Sequence, residues 1–415
     1  MNRFSLHFSL FLLTTVMVVS CSAPTSKKAN TTNPSNSGTY GYDRQFIEKY
    51  HNIVELKRGD AAVVIVPDYQ GRVMTSTCEG DAGAGFGWIN HDLIASGKTV
   101  EHINVFGGEE RFWIGPEGGQ YSIYFAKGKD FVFDNWFVPA AIDTETFAIV
   151  DKTETAVTFN KDMHFVNYKG TQFDLTINRK VTLLTTIQAM ANLDIEDKNL
   201  SVVAYESDNT MKNRGEKEWK KETGLLSIWM LSMFNSSPDV TIVIPVKAGD
   251  EVELGKKVND DYFGKISDDR LRVKDNIIFF KGDGKSRGKI GIPPLRATRF
   301  MGSYDAQSKV LTILESELPE GETDFVNSAW KIQEKPYGGD ALNSYNDGPL
   351  KDGSQLGPFY ELESSSPALA LKPGANYTHV QRIYHIKGDE KSLNRVAEKI
   401  LSVSLATIKG AFSPR

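Results

Sequence analysis

The segment His102–Gln120 concentrates side chains able to do chemistry, with Glu109, Arg111, Trp113 and Glu117 set among glycines and a proline. A guanidinium can fork onto an oxygen-bearing ligand, carboxylates can accept hydrogen bonds, and an indole offers a flat apolar face. The flanks are apolar and β-prone, Ile103 and Val105 before the segment and Tyr121–Phe125 after it. Glycines between strand-like flanks permit tight turns and close backbone approach. The combination points to a loop-borne binding site on a β scaffold. The plainer alternative is a glycine-rich corner whose Glu and Arg only pair with each other. Arg72 is a further candidate fork, with pairing to Glu109 or Glu117 as the plainer alternative for either arginine. Lys289 sits between Gly288 and Ile290 and either points inward or is solvated. Asn343, Tyr345 and Asp347-Gly348-Pro349 read as a turn whose amides and phenol could line a rim.

The elements that must position these groups read as strands. Ala61–Val66 is a buried-type run, 67–71 a turn, and Arg72–Thr77 alternates again, which predicts a hairpin. Further strands are expected at Tyr121–Phe137, Thr155–Phe159, Phe173–Val181, Gln188–Leu193, Ser201–Tyr205, Leu225–Phe234 and Val240–Val246. Asn276–Lys281, Ile290–Gly291, Thr298–Tyr304, Val310–Ser316, Phe325–Glu334, Phe359–Ser364 and His379–Ile386 continue the series. A short helix is predicted near Asp43–Tyr50. A good one closes the chain, with Asp389 as N-cap and Leu393, Val396, Ile400, Leu401 and Val403 as its core stripe. Many short strands with almost no helix argue an all-β fold, a large sandwich rather than an α/β sheet.

The chain has 415 residues, 40% of them hydrophobic and 24% charged, an ordinary globular balance. A net charge of -5 gives no basic footprint, so nucleic acid is not an expected partner. Residues 1–20 read as an export signal: Arg3, the apolar run Leu10–Val19, then Ser20-Cys21. Val18-Val19-Ser20-Cys21 resembles the lipobox of bacterial lipoproteins, which makes Cys21 the expected lipidation site and membrane anchor. Ser22 follows it, so an outer-membrane lipoprotein is expected, facing the periplasm or displayed at the surface. Residues 21–41 are a polar tether and 42–415 a single domain. Cys78 is then left without a partner, so neither a disulfide framework nor a thiolate metal cluster is expected. No metal or cofactor is anticipated. No Gly-x-Ser-x-Gly elbow, phosphate-binding lysine loop or His-Glu-x-x-His pattern is present.

The order of the short motifs resembles galactose mutarotase-like proteins, nearest to a branch of uncharacterised exported lipoproteins. These motifs are Pro67…Gly71-Arg72-Val73, Gly107-Gly108-Glu109…Arg111…Trp113…Pro116-Glu117, Leu226…Trp229 with Val240–Pro245, Gly288-Lys289…Gly291, and Glu361…Glu363…Pro367…Pro373-Gly374. The resemblance implies a β-supersandwich with a C-terminal helix and a carbohydrate ligand. It also implies aldose 1-epimerase-like chemistry if the protein is active, in which a carboxylate base takes the anomeric proton and a His protonates the ring oxygen. The late glutamate corresponds to Glu361 or Glu363, which alternate with Leu362 and so share one strand face. Two departures stand out: Phe106 occupies the place of a His before the Gly-Gly pair, and Phe234-Asn235-Ser236 the place of another. His102 is the nearest substitute, ahead of His164. Arg72, Glu109, Arg111, Trp113, Glu117, Lys289, Asn343 and Tyr345 are the expected substrate contacts, and a monomer is expected. A non-catalytic carbohydrate-binding protein, or a glycoside hydrolase or lyase on the same scaffold, are the alternatives.

Overall fold

A computed structural model describes residues 37–413. The expected signal, Cys21 and most of the expected tether lie outside the described residues. The described chain opens with α1 (Tyr40–Glu48), β1 (Val54–Arg58), β2 (Ala61–Val66) and β3 (Arg72–Thr77). Then come α2 (His91–Ser96), β4 (Arg111–Gly115), β5 (Ala148–Lys152), β6 (Ala156–Val166), β7 (Gln172–Leu183), α3 (Thr186–Asn192) and β8 (Ser201–Asn213). The middle contains β9 (Ser227–Asn235), β10 (Val240–Pro245), α4 (Glu251–Leu254), β11 (Leu271–Lys274), β12 (Ile277–Lys281) and β13 (Gly288–Ile292). The last third contains β14 (Phe300–Asp305), β15 (Val310–Ser316), β16 (Leu342–Asn346), β17 (Phe359–Ser365), β18 (Asn376–Lys387), α5 (Glu390–Leu401) and α6 (Leu405–Lys409).

The fold is all-β, as expected, in three antiparallel sheets. A three-stranded sheet runs β1-β2-β3, a ten-stranded sheet β11-β12-β10-β14-β15-β18-β8-β7-β6-β5, and a five-stranded sheet β13-β16-β17-β9-β4. One face of each sheet enters a shared apolar core: Val63 and Ile65 from the first, Leu175, Tyr205 and Ile383 from the second, Phe112, Met230 and Leu362 from the third. The other face of the ten-stranded sheet (Val202, Ala204, Val243, Ile313, Ile386) is covered by α3, α5 and α6 through Met190, Leu393, Val396, Leu401 and Ile408. The predicted C-terminal helix is α5, and the Asp389 side chain caps it by accepting from the Ser392 amide at 2.9 Å. The second face of the three-stranded sheet packs on Tyr40 and Ile47 of α1 and Ile94 of α2.

Three expected strands take other forms. Gln188–Leu193 falls on helix α3, because Thr185 and Gln188 form a reciprocal capping box and Ala189 and Met190 are good helix formers. Tyr121–Phe137 and Phe325–Glu334 form loops whose aromatic rings pack together, Phe125 on Trp330 at 5.1 Å and Trp136 on Trp330 at 5.6 Å. Ring packing, not ladder pairing, accounts for their apolar content. Conversely, β16 lies where turn residues dominate. It is paired on both sides, to β13 and β17, and pairing overrides local preference.

Polar groups cross the dry space between the large and the five-stranded sheets. Glu110 and Arg179 form an ion pair at 2.7 Å with both side chains 0% exposed. Arg179 also donates to Asn209 at 2.6 Å and to the Gly71 carbonyl at 3.1 Å. The second Glu110 oxygen accepts from Gln381 at 2.8 Å, and Gln381 in turn accepts from Ser364 at 2.7 Å. Ser364 also contacts His379 Nε2 at 2.8 Å, and burial lowers His379 to a pKa of about 4. The network ties β7, β8 and β18 to β17 and to the residue preceding β4. Removing one member of a buried pair strands the other charge. Arg179→Met is therefore expected to destabilise the fold by about 3–5 kcal/mol in chemical denaturation, with much of that recovered in Glu110→Met/Arg179→Met.

Candidate functional site on the five-stranded sheet

Strand alternation decides which residues reach the outer face of the five-stranded sheet. On β17, Tyr360, Leu362 and Ser364 turn inward, so Glu361 and Glu363 turn outward. Register brings them beside Met233 and Leu231 of β9 and Tyr345 and Asn343 of β16. Arg111 and Trp113 of β4 lie opposite Leu231 and Trp229, and Lys289 of β13 lies opposite Tyr345. Sequence-distant Arg111, Trp113, Lys289, Asn343, Tyr345, Glu361 and Glu363 therefore share one face. Part of it is roofed by Val105, Ile103 and Trp88, which pack on Met233, Tyr345 and Phe359.

The charges on this face are buried and interlocked. Arg111 Nη2 reaches Glu361 Oε1 at 3.3 Å, and the two side chains are 3% and 6% exposed. The Arg111 guanidinium lies 4.2 Å above the Trp113 ring. Glu363 accepts from Lys289 Nζ at 2.9 Å on both oxygens and from Trp229 Nε1 at 2.9 Å. Lys289 also sits 4.8 Å above the Trp229 ring, and the Trp113 and Trp229 rings meet edge to face at 5.5 Å. Burial, and next the charge of Glu363, pushes the Glu361 carboxyl up to about 8 against the pull of Arg111 and Lys289. Glu117 accepts from Trp330 Nε1 at 3.1 Å, and burial raises it too. Burial pulls the Lys289 ammonium down, but Glu363, Glu361 and Glu117 outweigh it, so its net shift is upward.

Not every expected contact lies here. Glu109 is on the interior side, accepting from Ser76 Oγ at 2.8 Å and meeting His385 Nε2 at 3.2 Å. β4 begins at Arg111, so Glu109 lies outside its alternation and turns inward with Glu110, and only Arg111 faces outward. Arg72 is fully buried, donating to Gly107 and Gln70 at 3.0 Å, and burial with the nearby Arg111 charge lowers it to about 9. Gly107 and Gly108 serve this crossing, since both have positive φ and a Cβ on Gly107 would stand 2.1 Å from the Trp88 carbonyl. Phe106 stacks on Tyr69 at 4.1 Å. His102 is not beside the carboxylates: it bonds the Trp136 carbonyl at 2.7 Å and lies against Phe133 and Phe137. His164 pairs with Asp174 on β7 at 2.8 Å, in the open. Among the described residues no His faces Glu361 or Glu363, and no group of His, Cys, Asp or Glu is disposed to hold a metal.

Sequence reasoning passed over four groups here. Trp229 lies among the central-strand motif residues, and alternation puts it on the face opposite Ile228 and Met230, shared with Leu231 and Met233. Arg287 is two residues before Lys289 and lies 4.6 Å over the Phe263 ring. Asp340 accepts from Tyr262 at 2.7 Å and Asn259 at 2.8 Å, and burial raises it to about 6. Asp347 holds the Tyr345 hydroxyl and the Gly357 amide. A separate cavity of about 240 Å³ lies between sheets, lined by Phe86, Phe234, Thr312, Tyr360 and His385, away from this face.

The fold and this face define a large antiparallel sandwich protein with a buried cluster of carboxyls, cations and indoles on one sheet. A model of the family of unknown function DUF6786 matches residues 38–412, and the chain belongs to that family. No curated protein sequence matches it. Among solved structures it is similar to a galactose mutarotase-like protein from Lactobacillus casei, at 12% identity and a TM-score of 0.47, over 80% of this chain and 100% of that one. It is similar to a galactose mutarotase related enzyme from Lactobacillus acidophilus at 11% identity and a TM-score of 0.44, over 80% and 97% of the two chains. A Synechocystis protein gives 10% identity and a TM-score of 0.49, over 82% and 96%.

The raised Glu361 makes a stability prediction. The folded state holds its proton to higher pH than the unfolded chain, so the associated stability is present below about pH 4.5 and is lost as pH rises through about 8. Glu361→Gln keeps the hydrogen-bonding shape without the charge. It is expected to flatten the decline across that window by up to about 1.4 kcal/mol per pH unit, read from denaturation midpoints at a series of pH values.

Proposed function

We propose that this chain binds a saccharide over the outer face of the five-stranded sheet and exchanges protons with it, in the manner of an aldose 1-epimerase. The observation that carries the reading is the set of two indoles, two cations and the Glu361–Glu363 pair on one buried face. Indole faces suit the apolar side of a pyranose, while carboxyls and cations suit its hydroxyls. Opening and reclosing a hemiacetal needs one group to take the anomeric hydroxyl proton and another to protonate the ring oxygen. Burial raises the carboxyl of Glu361, up to about 8, which suits proton exchange near neutrality, and it raises Glu117 beside the same Arg111 and Lys289 charges as well. Glu363, fixed by Lys289 and Trp229, adds to burial in raising Glu361.

The test is anomer interconversion followed by NMR across a panel of aldoses. Glu361→Gln is expected to lower the rate by about 10²–10⁴-fold while sugar binding persists. An unchanged rate would remove Glu361 from the role. A second reading, a non-catalytic saccharide-binding protein, draws support from the lack of any described His on this face. Saturable binding with no interconversion above buffer would favour it.

We further propose that the protein acts after export, in periplasmic or surface glycan use, anchored through a lipid on Cys21. The supporting observation is the Leu10–Val19 run followed by Val18-Val19-Ser20-Cys21. In cells fed a labelled fatty acid, label is expected on the wild type and absent from Cys21→Ser, which should leave the membrane fraction. Label retained on the variant would refute the anchor.

A further inference from the structure

Several buried groups around Arg111 have no hydrogen-bond partner among the described residues. They are Arg111 Nε and Nη1, Trp113 Nε1 and Trp136 Nε1. Their side chains are 3%, 3% and 6% exposed. They belong to one connected stack: Arg111 over Trp113 at 4.2 Å, Trp113 to Tyr124 at 5.6 Å, and Tyr124 parallel to Trp136 at 6.2 Å. Every one of these atoms is a donor. The one unpartnered group nearby that can also accept is the hydroxyl of Ser227, across from Gly115 in the β4–β9 pairing. Single unpartnered groups occur elsewhere among the described residues, such as Arg44 Nε and Arg287 Nε, but four donors in one connected stack are costly together and call for a partner from outside the chain.

The partner's chemistry follows from the surplus. A sugar hydroxyl that accepts from Arg111 brings its own hydrogen, which then needs an acceptor. A carboxylate or sulfate brings acceptors only, and it matches the flat guanidinium fork. Charge points the same way. Glu361, Glu117 and Asp143 each feel the Arg111 charge, and burial raises the pKa of all three against it. Lys289, by contrast, already has Glu363 on both oxygens. Arg111 is therefore the cation on this face with spare donors.

Resting on the saccharide reading above, we infer that the ligand is an acidic saccharide whose anionic group is received by Arg111 and the Trp113 indole N–H. The anion is a hexuronate carboxylate or a sulfate ester, and the shared requirement is a planar or trigonal set of oxygens with no hydrogen to donate.

The test uses the full chain and calorimetry on matched oligosaccharides: a hexuronan fragment, the same fragment with its carboxyls reduced to primary alcohols, and a sulfated fragment of the same backbone. The acidic forms are expected to bind about 10–100-fold tighter than the reduced one, the gain from charged hydrogen bonds. Arg111→Gln is expected to abolish that preference, so that the acidic and reduced fragments bind within about threefold of each other. Trp113→Phe, which keeps the ring and loses only the N–H, should narrow the preference and provides a second readout if Arg111→Gln does not fold. Preference for the sulfated fragment over the uronate, dependent on Arg111, supports the inference and assigns sulfate as the anion. Equal binding of acidic and reduced fragments overturns the inference and leaves the saccharide reading standing. Binding of none of them overturns the saccharide reading, and this one with it.

Discussion

The Glu110–Arg179 ion pair is the constraint on which the functional face depends. It is buried on all sides and spans two sheets, so it fixes where the edge strand β4 meets the large sheet. Successive residues of a strand point to opposite faces. A clamp on Glu110 inside therefore sets Arg111 outside, one residue away. The same logic acts on β17, where Ser364 is held by Gln381 and His379 within the sandwich while Glu363 stands on the far side. One interior network thus locates an arginine and two glutamates that are about 250 positions apart in the chain. Register through β9 completes the placement, since β9 pairs with both strands.

The interior face and the outer face treat charge differently. Inside, each charge of the Glu110–Arg179 pair has further donors or acceptors: Gln381 for the carboxylate, Asn209 and a carbonyl for the guanidinium. Such satisfied pairs serve geometry. Outside, Arg111 has a single hydrogen bond among the described residues and leaves donors over, while burial raises the carboxyls around it. Buried polar groups left unsatisfied oppose folding, so a chain that keeps them has another use for them. That contrast, more than the presence of charge, separates a structural network from a binding face.

Much of the fold was legible because strand alternation and turn residues are local signals. Val310–Ser316 and the Asp389-capped helix appear where the pattern put them. Misplaced elements share a cause. Gln188–Leu193, Tyr121–Phe137 and Phe325–Glu334 are apolar enough for strands, but a capping box or ring packing claimed them instead. The site was legible in part for the same reason. Glu361-Leu362-Glu363 and Arg111-Phe112-Trp113 each declare a shared face for their outer members. What alternation cannot declare is which face looks out, and Arg72 was misassigned for want of that, while Glu109 precedes β4 and lies outside its alternation. His102 sits in a loop, where no periodicity constrains direction. It ended against two phenylalanines rather than a carboxylate.

The glycine pair at 107–108 shows how one motif can keep its form while changing its task. Positive φ at both residues, and the Trp88 carbonyl where a Cβ would go, make the pair a backbone crossing. The residue before it is Phe106, stacked on Tyr69 beneath α1 and α2 and turned away from the five-stranded sheet. A histidine there would therefore meet an aromatic cluster and not the Glu361–Glu363 pair. The proton exchange proposed for the outer face therefore rests on groups already present on it, the carboxyls. A carboxyl can act as an acid near neutral pH only if its environment raises its pKa, and burial beside Glu363 supplies that environment for Glu361. The crowding of acids on one dry face is thus what raises Glu361 there, with Phe106 and its aromatic neighbours lying elsewhere.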